Sequence, residues 1–188
     1  MPFREVKGLE GFYYLIHPRP VVLVLSKCRE GRVNAMPASW NTPVSEDPPT
    51  LGIAIDRESY TFECVEYSGE VSINIPDSSC VDLVYALGTT SGRSVDKVRK
   101  YGLKLGKARV VSAPIWLDAI GVIEGRVRTY VDVGEVRLYV FDVLTAYVKE
   151  GVYGRWGWNL VKVNIPLHGA GKAFYLVGRR VMAGGKAG

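Results

Sequence analysis

The apolar positions of this chain fall mostly into short unbroken or alternating runs. Val21-Val-Leu-Val-Leu25 is continuous, the pattern of a strand buried on both faces, and Leu51 to Ile55 is similar. Val71-Ser-Ile-Asn-Ile75 alternates with period two and stops at Pro76, as a half-buried strand does. Ile120 to Val131 and Val136 to Val148 are longer strand-like stretches, with Asp132-Val-Gly-Glu135 between them as a hairpin turn. Val161 to Ile165 reads as a last short strand. Helical spacing is rarer. Ser59 or Thr61 caps a helix running to Tyr67 and closed by Gly69. Asp77 or Ser78 begins a second, carrying Cys80, Leu83, Val84 and Leu87, and Ser94 caps a third over Asp96 to Tyr101. Short helices set between many strands predict a mainly β protein, a barrel with helical excursions.

Length and composition narrow the class. At 188 residues, with 47% hydrophobic and 23% charged positions, the chain is expected to be one globular domain over 1–188, its core at about 12–178 and a frayed glycine-rich tail at 183–188. No apolar run approaches the ~20 residues that span a bilayer, and the start lacks a signal-peptide core, so a cytoplasmic protein without membrane contact is expected. Cys28, Cys64 and Cys80 form no CxxC pair and have two histidines for company, which disfavours zinc and predicts free thiols in a reducing compartment. The net charge of +5 is scattered rather than clustered, leaving nucleic-acid binding as the weakest reading.

Familiar catalytic signatures fail. Gly151-Val-Tyr-Gly154-Arg-Trp-Gly157 lacks the GxGxxG spacing, and Gly88-Thr-Thr-Ser-Gly92-Arg93 lacks the ending of a P-loop. No GxSxG elbow is present, and no catalytic or metal-binding set stands out. What remains is cofactor chemistry, where the protein supplies binding and orientation. Asn34 to Pro49 is the best candidate. From Val33 to Ser45 no side chain ionises, yet there are two Asn, two Ser and one Thr. Its prolines predict an irregular segment whose N–H groups stay free of a sheet ladder.

Arg19-Pro20-Val21, the Pro-Ala-Ser-Trp and Thr-Pro-Val-Ser cores of 34–45, Asp47-Pro48-Pro49, Tyr60-Thr61, Gly69 to Asn74, Ser91-Gly92 leading to Asp96-Lys97, Ala113-Pro114, Gly134 to Val143 and Pro166-Leu-His168 follow one another in an order that resembles the flavin reductase-like family. That resemblance implies an FMN-binding split β-barrel of Greek-key type with a few short peripheral helices. It also implies electron transfer from NADPH or NADH through FMN to a flavin, a ferric chelate or a partner protein, in a homodimer. One departure matters: many flavin reductases of the family carry Gly-Asp-His where this chain has Gly134-Glu135-Val136. A flavoredoxin-like FMN carrier, reduced by another enzyme, is therefore the alternative.

For the cofactor, Asn34, Pro37, Ala38, Ser39, Trp40, Asn41 and Thr42 are expected along the isoalloxazine, with turn chemistry as the competing role for Ser39 and Asn41. Trp40 covers a ring edge or fills core. Asp56 and Arg57 precede a helix start that suits an anion, and Tyr60, Thr61 and Lys97 are the other phosphate candidates. Asn74 is expected to be structural. His168 is a loop residue or a neighbour of the flavin or the nicotinamide.

Overall fold

In the computed structural model, which describes residues 3, 5, 6 and 9–182, β1 (Arg19–Pro20) leads into β2 (Val22–Lys27). The chain continues through β3 (Val33–Ala38), β4 (Asn41–Glu46), β5 (Pro49–Asp56), α1 (Tyr60–Ser68), β6 (Glu70–Ile75), α2 (Val81–Gly88) and α3 (Lys97–Tyr101). Then come β7 (Leu105–Gly106), β8 (Ile115–Trp116), β9 (Gly121–Val133), β10 (Val136–Val148), β11 (Tyr153–Gly154), β12 (Gly157–Trp158), β13 (Pro166–His168) and β14 (Phe174–Leu176). The tail 183–188 lies outside the described residues.

The main sheet is seven-stranded and antiparallel, in the order β3-β2-β6-β9-β10-β5-β4. The apolar run at β2 explains its central packing. Val22 and Val24 point into one core cluster with Ile53, Ile55, Val71, Ile73, Tyr139 and Phe141, while Val21, Leu23 and Leu25 point into another with Val84, Leu87 and Trp116. Ala38 from one end of the strand order and Ile53 from near the other meet in the first cluster, so the sheet curls back on itself, and α1 closes that side with Val65. The long β9–β10 hairpin turns at Gly134, where φ is 55°.

Asn74 is structural. Its Nδ2 donates to the Leu23 carbonyl and to Ser72 Oγ, and its Oδ1 accepts the Trp116 N–H at 2.8 Å. Ser59 caps α1 by accepting the Phe62 N–H, and Gly69 ends it in the left-handed conformation that favours glycine.

Four expectations are corrected. Asn34 to Pro49 is not irregular: it forms β3 and β4 around a two-residue bend at Ser39-Trp40. Because β3 and β4 are the edge strands, they tolerate their prolines, with a register shift against β5 between Pro43 and Ser45, and half of their backbone groups still face outward. Val161 to Ile165 is turn and coil, held by Lys162 and Val163 N–H bonds to the Asn159 carbonyl, and the strand begins at Pro166. Asp96, not Ser94, caps α3 by accepting the Arg99 N–H at 3.0 Å. Finally, Cys28 and Cys64 are a disulfide rather than free thiols. Packing of α1 against the end of β2 brings their Cα atoms to 4.3 Å despite a separation of 36 positions in sequence, leaving Cys80 free. Among the described residues no helix is long and apolar enough to cross a membrane.

Candidate functional site

The outer edge of β3 borders a trough made of two adjoining cavities. One, of about 290 Å³, is lined by Asn34, Met36, the first turn of α1, the 88–93 segment and Lys97. The other, of about 340 Å³, is lined by Pro37, Ser39, Tyr85, His168 and Phe174, and the two share Gly88 and Thr89. Close approach of the 88–93 segment to β3 needs glycine. A Cβ at Gly88 would sit 3.0 Å from the Pro37 ring, and one at Gly92 would fall 2.1 Å from Asn34 Oδ1 and 2.9 Å from the Tyr60 ring.

The end of the trough at α1 is polar and buried. Asn34, only 2% exposed, donates through Nδ2 to Thr61 Oγ1 at 2.7 Å, while its Oδ1 has no partner among the described residues. A buried acceptor left unpaired costs about 1–3 kcal/mol, and a ligand hydroxyl arriving here would satisfy it. The Tyr60 and Thr61 N–H groups lie in the first helical turn, where no intrahelical acceptor exists. Ser59 is committed, since its Oγ also donates to the Asp56 carbonyl at 2.7 Å.

Lys97 crosses behind this end, 5% exposed, and its Nζ donates to the carbonyls of Ala35 at 2.9 Å and Leu87 at 2.7 Å. An ammonium has three N–H donors, so one remains for an anion. Burial pushes this amine down from the ordinary value near 10.5 to about 8. Arg93 forms part of the rim, but its guanidinium pairs with Glu63 and donates to the Glu58 carbonyl, a pairing that raises its pKa.

The other end is the wider of the two. His168 Nε2 lies 3.2 Å from the Gly171 carbonyl and Nδ1 lies 3.4 Å from Ser39 Oγ. With Nε2–H donating to that carbonyl, Nδ1 is left to accept from the Ser39 hydroxyl. The His168 ring stands 5.3 Å from Phe174 and 6.0 Å from His17.

The trough thus gathers Asn34, Pro37, Ser39, Tyr60, Thr61, Lys97 and His168. The other candidates lie elsewhere. Ala38 is buried in the core cluster of the curled sheet. Trp40, Asn41 and Thr42 face a separate cavity of about 220 Å³ together with Tyr13, His17 and Arg19. Trp40 is 40% exposed and meets Tyr13 edge-on, so it does not fill core. Asn41 spends its Nδ2 on the Pro20 and Ala38 carbonyls, which is turn chemistry. Asp56 accepts the Glu58 N–H, and Arg57 is exposed beside the β9–β10 turn, where its N–H bonds the Glu135 carbonyl. The 88–93 segment is the part that motif reading passed over. Its signal was two glycines bracketing three hydroxyl residues, a loop built for close approach without the P-loop lysine.

A larger opening of about 920 Å³ between the β11–β12 hairpin and residues 177–180 contains none of these residues. No group of three or more metal-ligating side chains occurs among the described residues.

Residues 14–168 match the family model of the flavin reductase like domain. The Escherichia coli protein YddH is 30% identical over 90% of this chain and 93% of its own. An FMN-binding protein from Thermus thermophilus, solved with bound 1-cyclohex-2-enone, superposes with a TM-score of 0.83 at 26% identity, covering 97% of this chain and 99% of that one. The flavoredoxin of Desulfovibrio vulgaris superposes at 0.85 with 22% identity over 98% and 99% of the two chains, a likeness of fold. The mainly β architecture is that of the FMN-binding split barrels, and the chain belongs to the flavin reductase-like family.

Proposed function

We propose that this protein is an FMN-dependent oxidoreductase and that the trough along β3 holds the flavin. The observation that carries this reading is the division of one continuous trough into a buried polar end with a lysine and a helix start, and a wider end walled by Pro37, Tyr85 and Phe174. A phosphate fits the first: Lys97 offers its third N–H, and the Tyr60 and Thr61 N–H groups add the positive end of the α1 dipole. The unpaired Asn34 Oδ1 suits a hydroxyl of the connecting chain. Ser39 and His168 border the end left for the ring.

When bound, the flavin supplies hydride and electron-transfer chemistry between NADPH or NADH and an acceptor such as a flavin, a ferric chelate or a partner protein. The protein contributes position and exclusion of water. Ser39 and His168 can hold a proton between them at the ring end, and no triad is required where orientation does most of the work. Val131 and Leu138 pair across β9 and β10, with the exposed Val44 packed near them over Gly52, and this apolar row supports a homodimer.

Purified protein is expected to be yellow, and anaerobic NADPH or NADH to bleach its absorbance near ~450 nm. Bleaching by dithionite but by neither nicotinamide would select the carrier role. Protein that is colourless and refuses added FMN would end both readings.

A further inference from the structure

The disulfide and the turn that follows it border the polar end of the trough from behind. After β2, Cys28 opens a tight turn in which its N–H donates to the Arg32 carbonyl at 2.8 Å, with Glu30 and Gly31 both at positive φ. Cys28 is bonded to Cys64, one helical turn beyond Tyr60 on α1, and each cysteine is 1% exposed. The turn is thereby fixed to the helix whose first residues line the trough. A polar cavity of about 190 Å³, lined by Cys28, Glu30, Arg32, Tyr60, Glu63 and Cys64, gives access to this corner.

Arg32 spans the gap between the two walls of the polar end. Its guanidinium carbon stands 5.0 Å over the Tyr60 ring, and its Nη2 donates to the Gly92 carbonyl at 2.7 Å. Tyr60 begins α1, and Gly92 belongs to the 88–93 segment that must lie close against Asn34. One side chain that lines no part of the trough itself therefore helps set the spacing between its helix wall and its glycine wall, beside the Arg93–Glu63 pair that also joins them. The ring end, bounded by Pro37, Tyr85, His168 and Phe174, has no contact with Arg32.

We propose that Arg32 is a positioning residue that makes this site select a phosphorylated flavin over an unphosphorylated one, and that the Cys28–Cys64 disulfide holds it in that role. The inference rests on the flavin reading of the trough. Stacking on Tyr60 and the bond to Gly92 both need the planar guanidinium, which a shorter or unforked side chain does not replace. Opening the disulfide frees the turn from α1 and loosens the same corner. In that step a dithiol donates two electrons and two protons, the S–S bond breaks to give two thiols, and the dithiol closes to its own disulfide.

The test is a pair of affinities, for FMN and for riboflavin, which lacks the phosphate, measured by flavin fluorescence. Four proteins are compared: oxidised wild type, wild type reduced with dithiothreitol and checked by alkylation and mass, Arg32→Gln, and Cys28→Ser with Cys64→Ser. FMN affinity is expected to fall about tenfold in the last three while riboflavin affinity stays within about twofold. Equal losses for both ligands, or no loss, would overturn the proposal and leave the flavin reading intact. Oxidised wild type that binds neither ligand overturns both. Should Arg32→Gln fail to fold, the reduced wild type and the double variant decide the matter by the same ratio.

Discussion

The two ends of the trough are built on opposite plans. At the α1 end the polar groups are pinned: the buried Asn34 to Thr61, the buried Lys97 to two carbonyls, and the exposed Arg32 to Gly92 from behind. At the other end Ser39 and His168 meet at 3.4 Å, and His168 reaches the Gly171 carbonyl at 3.2 Å, beside a bend between two edge strands. The pinned end loses little entropy when it accepts a ligand, so affinity should reside there. The wider end has room for a second molecule beside the ring, so chemistry and exchange should reside there. A binding site that must keep one molecule while meeting others gains from this separation.

The most direct way to break the comparison is to fill the pinned end. Gly92→Val places carbon where Asn34 Oδ1 now lies, 2.1 Å from an ideal Cβ, and crowds the Tyr60 ring at 2.9 Å. Asn34 cannot swing away without losing Thr61, so the glycine wall must shift and the shape of the polar end must change. FMN affinity is expected to fall by more than ~3 kcal/mol, over a hundredfold, by equilibrium dialysis. Affinity kept within tenfold would mean that the flavin does not rest on the wall made by Asn34 and Gly92.

Lys97→Met removes the cation and keeps the length of the side chain. FMN binding is expected to weaken by about 1–3 kcal/mol through loss of a charge-assisted bond. The lysine also has a pH signature in the protein without ligand. Its folded value, pushed down to about 8, lies below the ordinary 10.5, so between these two pH values the unfolded chain binds more protons. Stability should therefore rise with pH across that window, as the buried ammonium is relieved of its charge. Urea denaturation of wild type at about pH 8 and about pH 10.5 should show this rise, and Lys97→Met should flatten it. A variant with the same slope as wild type would assign the effect to other groups.

Much of this contrast was legible in the chain, and what was hidden had physical reasons. β2, β5, β6 and the β9–β10 hairpin follow from their apolar periodicity, because a strand buried on both faces or on one leaves that trace directly. Asn34, Thr61 and Lys97 share a wall because β3, α1 and α3 converge. That convergence was expected only from the ordered set of motifs that resembles the family, since no local pattern encodes it. The disulfide escaped because cysteine spacing carries no signal when the pairing depends on how a helix packs across a strand. The Ser39 to Asn41 segment misled in a different way. Proline, serine and asparagine are turn formers, and on edge strands they are equally at home, so composition alone could not separate a loop from two strands joined by a bend.

The smallest effect is expected where sequence reading placed a phosphate ligand. Arg57 immediately precedes a helix start, and on sequence grounds its guanidinium belongs at an anion. The fold turns it the other way. Its N–H bonds the Glu135 carbonyl in the β9–β10 turn, and its charge helps hold the Asp132 carboxyl low, after the stronger contribution of the hydrogen bond from Arg137 and against the opposing effect of burial. The side chain is exposed and borders neither cavity of the trough. Arg57→Ala should leave FMN affinity within about 0.5 kcal/mol of wild type, the range of surface substitutions away from a site. If dialysis instead shows a loss above ~1 kcal/mol that added salt diminishes, the anion approaches α1 from the hairpin side. The Asn34 and Lys97 wall would then not be the phosphate end, and the contrast between a pinned and a wider end would have to be redrawn around the start of α1.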